Sequence, residues 1–204
     1  MNGCQLSSSK KGNTVKQWPE EMPNIKERAK TTRSLHLCCG TNKYEGAVGI
    51  DNNSASNADI FCDLDQFPYP FEDDEFDTAI CLNAIEHLKD IAGVMKELHR
   101  ICRAGAQIFI LTPHFSDAGS YIDPTHLHHL SARSFDYFIE GTILSKEYGF
   151  YSKCRFKLLK RRLSLHRLFG FLEEFANRHI SFYEEVLCYV IRGKGIFLEL
   201  EVVK

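Results

Sequence analysis

Two acidic residues, Asp51 and Asp63, close short apolar runs, AVGID and ADIFCDL, and an earlier run, SLHLCC, opens into Gly40. A carboxylate at the end of a buried strand can accept both hydroxyls of a ribose, and a second one nearby can accept from an adenine amino group. The bend Cys38-Cys39-Gly40 consists of small residues, which let a ligand lie against the backbone. With Asn52 and Leu64 beside the two acids, these positions describe a nucleoside site. They do not describe a pyrophosphate site, because Gly40 stands alone, no G-x-G-x-x-G follows and no G-K-[ST] is present.

A second group lies farther along. His114, Ser116, Tyr121, Asp123, His126, His128 and His129 share one polar stretch after the apolar run AQIFILT. Histidine titrates near neutrality and serves as a general base. With a carboxylate it also ligates transition metals. A set built from His114, Asp123 and His126 or His128 matches no named metal spacing, so no metal is expected. His114, Asp123 and His126 are the candidate catalytic residues.

These groups need a frame to hold them. SLHLCC, AVGID, ADIFCDL, FDTAICL and AQIFILT read as strands buried on both faces, as in a parallel sheet. KDIAGVMKELHRIC reads as an amphipathic helix capped by Asp90, with Ile91, Val94, Met95, Leu98, Ile101 and Cys102 in one apolar stripe and Gly105 at its exit. Glu86 and His87, just ahead of it, read as supports for that helix rather than as chemical groups. Pro23 opens a short helix. SARSFDYFIEG predicts a short helix capped by Ser131. CRFKLLKRRL predicts a strand, HRLFGFLEEFANRH and SFYEEVLCYVI helical segments, and GIFLELEVVK a last strand.

Only six residues separate Gly40 from Ala47, and six separate Asp51 from Ala58. At ~3.3 Å per extended residue each link spans about 20 Å, enough to return along a short strand without a helix. No α-helix of more than one turn is expected between residues 41 and 58. That removes the helix whose N-terminus would hold a pyrophosphate and leaves a nucleoside ligand without one, a description that S-adenosylmethionine (SAM) fits.

The bulk properties agree. A chain of 204 residues, 44% hydrophobic and 25% charged, has the balance of a soluble globular domain, and a net charge of −2 gives no general attraction for nucleic acid. No apolar run is long enough to span a bilayer and no secretory signal opens the sequence. The eight cysteines form no C-x-x-C pair. A reduced, cytoplasmic protein without membrane insertion is expected. Residues 1–30 are expected as a flexible tail with a short helix, and 31–204 as a single domain. The basic run from Lys153 to Arg167 reads as a solvated strand face.

The sequence resembles the class I SAM-dependent methyltransferases that act on small molecules. LHLCCGT is similar to their first glycine loop and VGIDNN to their ribose-binding turn. CDLDQFPYPFEDDEFDTAICLNAIEHL is similar to the stretch carrying the adenine-side acid, the P-F-x-D-x-x-F-D signature and the E-H-L after strand four. The short first half resembles a compact subgroup lacking the first crossover helix. The resemblance implies an α/β, Rossmann-like fold with a mainly parallel twisted sheet of about seven strands. It implies cofactor contacts from Cys38, Cys39, Gly40, Asp51, Asn52, Asp63, Leu64, Asn83 and Ala84, and methyl transfer to a small-molecule or saccharide-type acceptor. Three places depart from the pattern, one of them the usual Pro-Gly-Gly turn, which here is Ala104-Gly105-Ala106 and bears on the turn more than on the site. Cys38 stands where the family has its first glycine, which requires a negative φ to be unstrained, and His36 stands where an acid is common. Cys38 and His36 weigh towards the alternative of a non-catalytic recognition module on the same fold, whereas the intact Asp51, Asp63 and E-H-L region weighs towards the enzyme.

Overall fold

The computed structural model describes residues 21–150 and 152–204. The first twenty residues of the expected tail lie outside the described residues. Seven strands form one sheet: β1 (Ser34–Leu37), β2 (Val48–Asp51), β3 (Ile60–Phe61), β4 (Phe76–Leu82), β5 (Cys102–Pro113), β6 (Arg155–Leu165) and β7 (Gly193–Val203). Their order is β3-β2-β1-β4-β5-β7-β6. The first five are parallel, and β7 runs antiparallel between β5 and β6. The switch of order beside β1 and β4 places a crevice at their carboxyl ends, where open α/β sheets bind ligands.

The β1–β2 and β2–β3 links contain no helix, as their length requires. Polar contacts hold them instead. Asn57 N–H donates to the Gly40 carbonyl at 2.8 Å and its side-chain amide donates to the Thr41 carbonyl at 2.7 Å. Asp59 accepts from Gly49 N–H at 2.7 Å and pairs with Lys43 at 2.6 Å. His36 is 4% exposed, and its Nδ1 accepts from Tyr44 N–H. Burial pushes the His36 imidazole down to about 4, so the folded protein holds it neutral. The unfolded chain protonates at about 6.5. Stability from this residue is therefore complete above about pH 6.5 and lost as pH falls towards 4, by at most about 1.4 kcal/mol per pH unit. Urea unfolding of wild type and His36→Gln should converge in stability over that window. Parallel pH profiles would reject a buried neutral histidine.

One helix takes the place of the missing crossovers on one sheet face. α1 (Met22–Thr31) has Pro23 in its first turn, and Ile25 and Ala29 are wholly buried. They pack with Ala47, Ile80, Phe109, Leu111 and Phe197. Burying one isoleucine contributes about 1.5–3 kcal/mol. Residues 22–30 are thus joined to the domain through a core contact. Gly46, at φ +88°, lies so close to α1 that a Cβ there would meet the Ala29 carbonyl oxygen at 2.6 Å.

α2 (Ile91–Ile101) covers the opposite face. Asp90 caps it by accepting from Gly93 N–H at 2.8 Å. Val94, Met95, Leu98 and Ile101 are buried. The helix ends at Ile101, earlier than Gly105 suggested, because Cys102 already pairs with Phe76 as the first residue of β5. Arg100 from α2 donates to the carbonyls of Tyr69 and Phe71 and to Asp73 and Glu97. The P-F-x-D-x-x-F-D signature is therefore a scaffold for this turn.

SARSFDYFIEG forms a single 3-10 turn, Ser134–Tyr137, with Ser131 accepting from Arg133 N–H just ahead of it. β6 is an edge strand whose basic residues are paired. Lys157 meets Glu201, Arg161 meets Asp136 and Arg162 meets Glu173. Among the described residues no helix is long and apolar enough to cross a membrane.

Candidate active site

The cofactor end is built on the carboxyl ends of β1, β2 and β4. Asp51 is 7% exposed. Its two oxygens accept from Gly40 N–H and Asn53 N–H, each at 2.8 Å. The carboxylate thereby ties the first loop to the second. Each oxygen keeps acceptor capacity, since a carboxylate offers about four lone-pair sites. Beside it, a Cβ on Gly40 would meet nothing within 4 Å. The residues present thus fit a ribose lying against Gly40. Asn52 is exposed on the same lip. Asp63 is exposed two residues beyond the end of β3, where it accepts from Asp65 N–H at 3.0 Å. The side chains of Cys39, Leu64 and Ala84 point into the core at 4%, 2% and 0% exposure, leaving only their backbone to a ligand.

Cys38 has φ +45°, so the negative φ that would leave a cysteine unstrained there is not adopted. Burial pushes its thiol up to about 12, helped by Asp51 and Glu86, so it is a neutral thiol between these two carboxylates. Asn83 also adopts a positive φ of 49°, a conformation asparagine tolerates. For cysteine the left-handed region costs about 1–2 kcal/mol. Cys38→Gly should raise stability by about that amount less the extra unfolded-state entropy of glycine. A loss of more than about 1 kcal/mol in urea unfolding would mean that packing of the thiol outweighs the strain.

The candidate catalytic residues separate. The stretch after β5 contains a short helical turn, α3 (Gly119–Ile122), and folds back over the end of β4. Leu127 N–H and His128 N–H both donate to the Glu86 carbonyl, at 2.8 and 3.1 Å. This brings Asp123 and His126 to Glu86 and His87 around a cavity of about 600 Å³ that Asn83 and Pro113 also line. His126 Nε2 is 4.0 Å from Glu86 Oε1 and 4.0 Å from Asp123 Oδ2. Hydrogen bonds from the Thr125 hydroxyl and N–H hold the exposed Asp123 carboxyl below the usual range.

His114 is elsewhere, wholly buried under the C-terminal helical segment. Its Nε2 donates to Glu184 at 3.3 Å, and Nδ1 accepts from Ser116. Glu184 also accepts from Ala132 N–H and Arg133. Burial alone would raise the Glu184 carboxyl, but these partners outweigh it and hold it low. His114 is part of a closed structural hydrogen-bond network, and the set His114, Asp123 and His126 does not assemble.

Glu86 and His87 do more than support the following helix. They form a 3-10 turn, Ile85–His87, that aims Glu86 into the cavity. Glu86 is 1% exposed and neither carboxylate oxygen makes a hydrogen bond. The Thr112 hydroxyl lies beside it but outside hydrogen-bonding geometry. Burial holds the Glu86 carboxyl above its ordinary value, opposed first by its own backbone N–H and the nearby Thr112 hydroxyl and then by His87 and His126. The only sequence signal was the E-H-L triplet itself.

The sheet order with its antiparallel β7 defines the SAM-methyltransferase fold. Residues 28–110 match the family described as a methyltransferase domain, a match that ends before the His-rich stretch. Similar solved structures share the fold at low identity. A SAM-dependent methyltransferase from Archaeoglobus fulgidus is 16% identical over 89% of this chain and 91% of its own, with a TM-score of 0.57. One from Mesorhizobium loti is 15% identical over 90% and 98%, with a TM-score of 0.54. A Haemonchus contortus N-methyltransferase, solved with phosphomonomethylethanolamine and S-adenosylhomocysteine, is 13% identical over 92% of this chain and 53% of its own, with a TM-score of 0.56. No curated protein matches the chain.

Proposed function

We propose that this chain is a SAM-dependent methyltransferase that acts on a small-molecule or saccharide-type acceptor carrying a hydroxyl group, bound in the cavity between the ends of β4 and β5. The observation that carries the reading is the shared wall. Asn83 closes β4 at the cofactor end and also lines the cavity that holds Glu86, His87, Asp123 and His126. Cys38, Gly40, Asp51, Asn52, Asp63 and Asn83, with the backbone of Cys39, Leu64 and Ala84, form the proposed cofactor contacts. Bound there, SAM supplies an electrophilic methyl group. The chain's own part is positioning, which accounts for much of the rate in such transfers. The cavity walls hold the acceptor oxygen, and the imidazoles and carboxylates around it favour loss of its proton. The helix-free first links support placement in the compact subgroup.

The test is a panel of hydroxylated small molecules and saccharides assayed for methyl transfer, with S-adenosylhomocysteine binding measured in parallel. On an accepted substrate, His126→Ala should lower turnover by about 100-fold or more, the usual weight of acid–base or positioning groups. Its S-adenosylhomocysteine affinity should stay within about twofold, far below the tenfold that 1.4 kcal/mol represents. Cofactor binding without transfer to any member of the panel would instead favour the recognition module.

A further inference from the structure

A buried carboxylate without a partner is a costly arrangement, because desolvation of the charge is repaid only by a counter-charge or hydrogen bonds. The three donors that satisfy Glu184 have no counterpart around the Glu86 side chain among the described residues. Two imidazoles face it instead. One ligating atom from each of Glu86, His87 and His126 lies within 4.8 Å of those of the other two, and the two rings meet edge to face at 4.6 Å.

The outer contacts of both rings set their tautomers. His126 Nδ1 lies 3.1 Å from the Ser120 carbonyl, which can only accept, so Nδ1 carries the proton. His87 Nδ1 lies 3.2 Å from the Thr125 carbonyl and 3.0 Å from the Thr125 hydroxyl. That hydroxyl gives its own proton to Asp123 at 2.6 Å, so it too accepts from His87. In its neutral form each ring therefore presents an unprotonated Nε2. An Nδ1–H bound to a backbone carbonyl is the usual outer support of a metal-ligating histidine.

We propose that Glu86, His87 and His126 bind a divalent transition-metal cation of the zinc class, which takes an oxygen atom of the acceptor as a further ligand. Two histidines and one glutamate suit such a cation and leave a coordination position open. Ligands at ~2.1 Å from a tetrahedral ion stand ~3.4 Å apart, so binding draws the three side chains together by little more than about 1 Å. The carboxylate gains its missing counter-charge. The acceptor-ligand part of this proposal rests on the cavity being the acceptor site, and the cation-binding part does not.

The test uses the full chain freed of metal by a chelator and titrated with zinc alone by calorimetry near neutral pH. One equivalent should bind, and Glu86→Gln, His87→Ala and His126→Ala should each weaken it by about 100-fold or more, since even outer-shell changes cost 10–100-fold. The nearly isosteric Glu86→Gln and the half-buried His87 keep the test independent of any one variant's folding, which circular dichroism checks. Cobalt loaded in place of zinc should show no thiolate charge-transfer band. Absence of zinc binding, binding indifferent to all three substitutions, or a cobalt–thiolate band from the free cysteines would each overturn the site. S-adenosylhomocysteine titrated into the same samples reports separately on the methyltransferase reading, so loss of one result does not mimic loss of the other.

Discussion

Asp51→Ala should bind S-adenosylhomocysteine about 30- to 900-fold more weakly than wild type, a loss of about 2–4 kcal/mol. The substitution removes the proposed acceptor of the ribose hydroxyls, and hydrogen bonds to a charged group contribute about 1.5–3 kcal/mol each. It also releases Gly40 N–H and Asn53 N–H, so the loop that carries Cys38 and Gly40 loses its tie to the second strand. Asp51→Asn keeps an acceptor oxygen and should fall between the two. Calorimetric titration of the three proteins decides the matter. Wild-type affinity in the alanine variant would remove Asp51 from the cofactor site.

Gly46→Ala should destabilise the fold by about 2–6 kcal/mol. Two costs add. The left-handed backbone of an L residue costs about 1–3 kcal/mol, and forcing a methyl into a packed contact costs typically about 1–3 kcal/mol. The contact is with backbone atoms of α1, which cannot swing aside as a side chain would. The result expected in urea unfolding is a lower midpoint with an unchanged slope. A midpoint within about 0.5 kcal/mol of wild type would show that α1 can shift off the sheet without loss, contrary to the buried positions of Ile25 and Ala29.

The parts legible in the sequence were those set by short stretches of chain. Asp90 caps α2 because its side chain and Gly93 N–H are three residues apart. The first five strands were visible as apolar runs, and the helix-free links followed from their length. The site's other half depends on contacts between distant segments. Glu86 is buried because Leu127 and His128 bond to its backbone. His114 is withdrawn from the cleft because Glu184 meets it from a segment seventy residues further on. Nothing in the spacing of the His-rich stretch distinguishes His114 from His126. The positive φ of Cys38 was hidden for a related reason, since the bend is fixed by Asp51 and Asn57 reaching back to Gly40.

The placement of β7 bears on how the chain comes to its folded form. Leu35 pairs with Val48, whereas Gln107 pairs with Glu201. Loop-closure entropy grows with the logarithm of separation, so joining β5 to β7 costs about 1.8 kcal/mol more than joining β1 to β2. The parallel half can therefore assemble first, both by entropy and by order of synthesis. Until residues 193–203 arrive, one side of β5 is an open edge carrying Ile108, Phe109, Ile110 and Leu111. An unpaired apolar edge of that kind recruits strands from other chains. A chain shortened before β7 should consequently aggregate during expression even though every proposed cofactor residue is present.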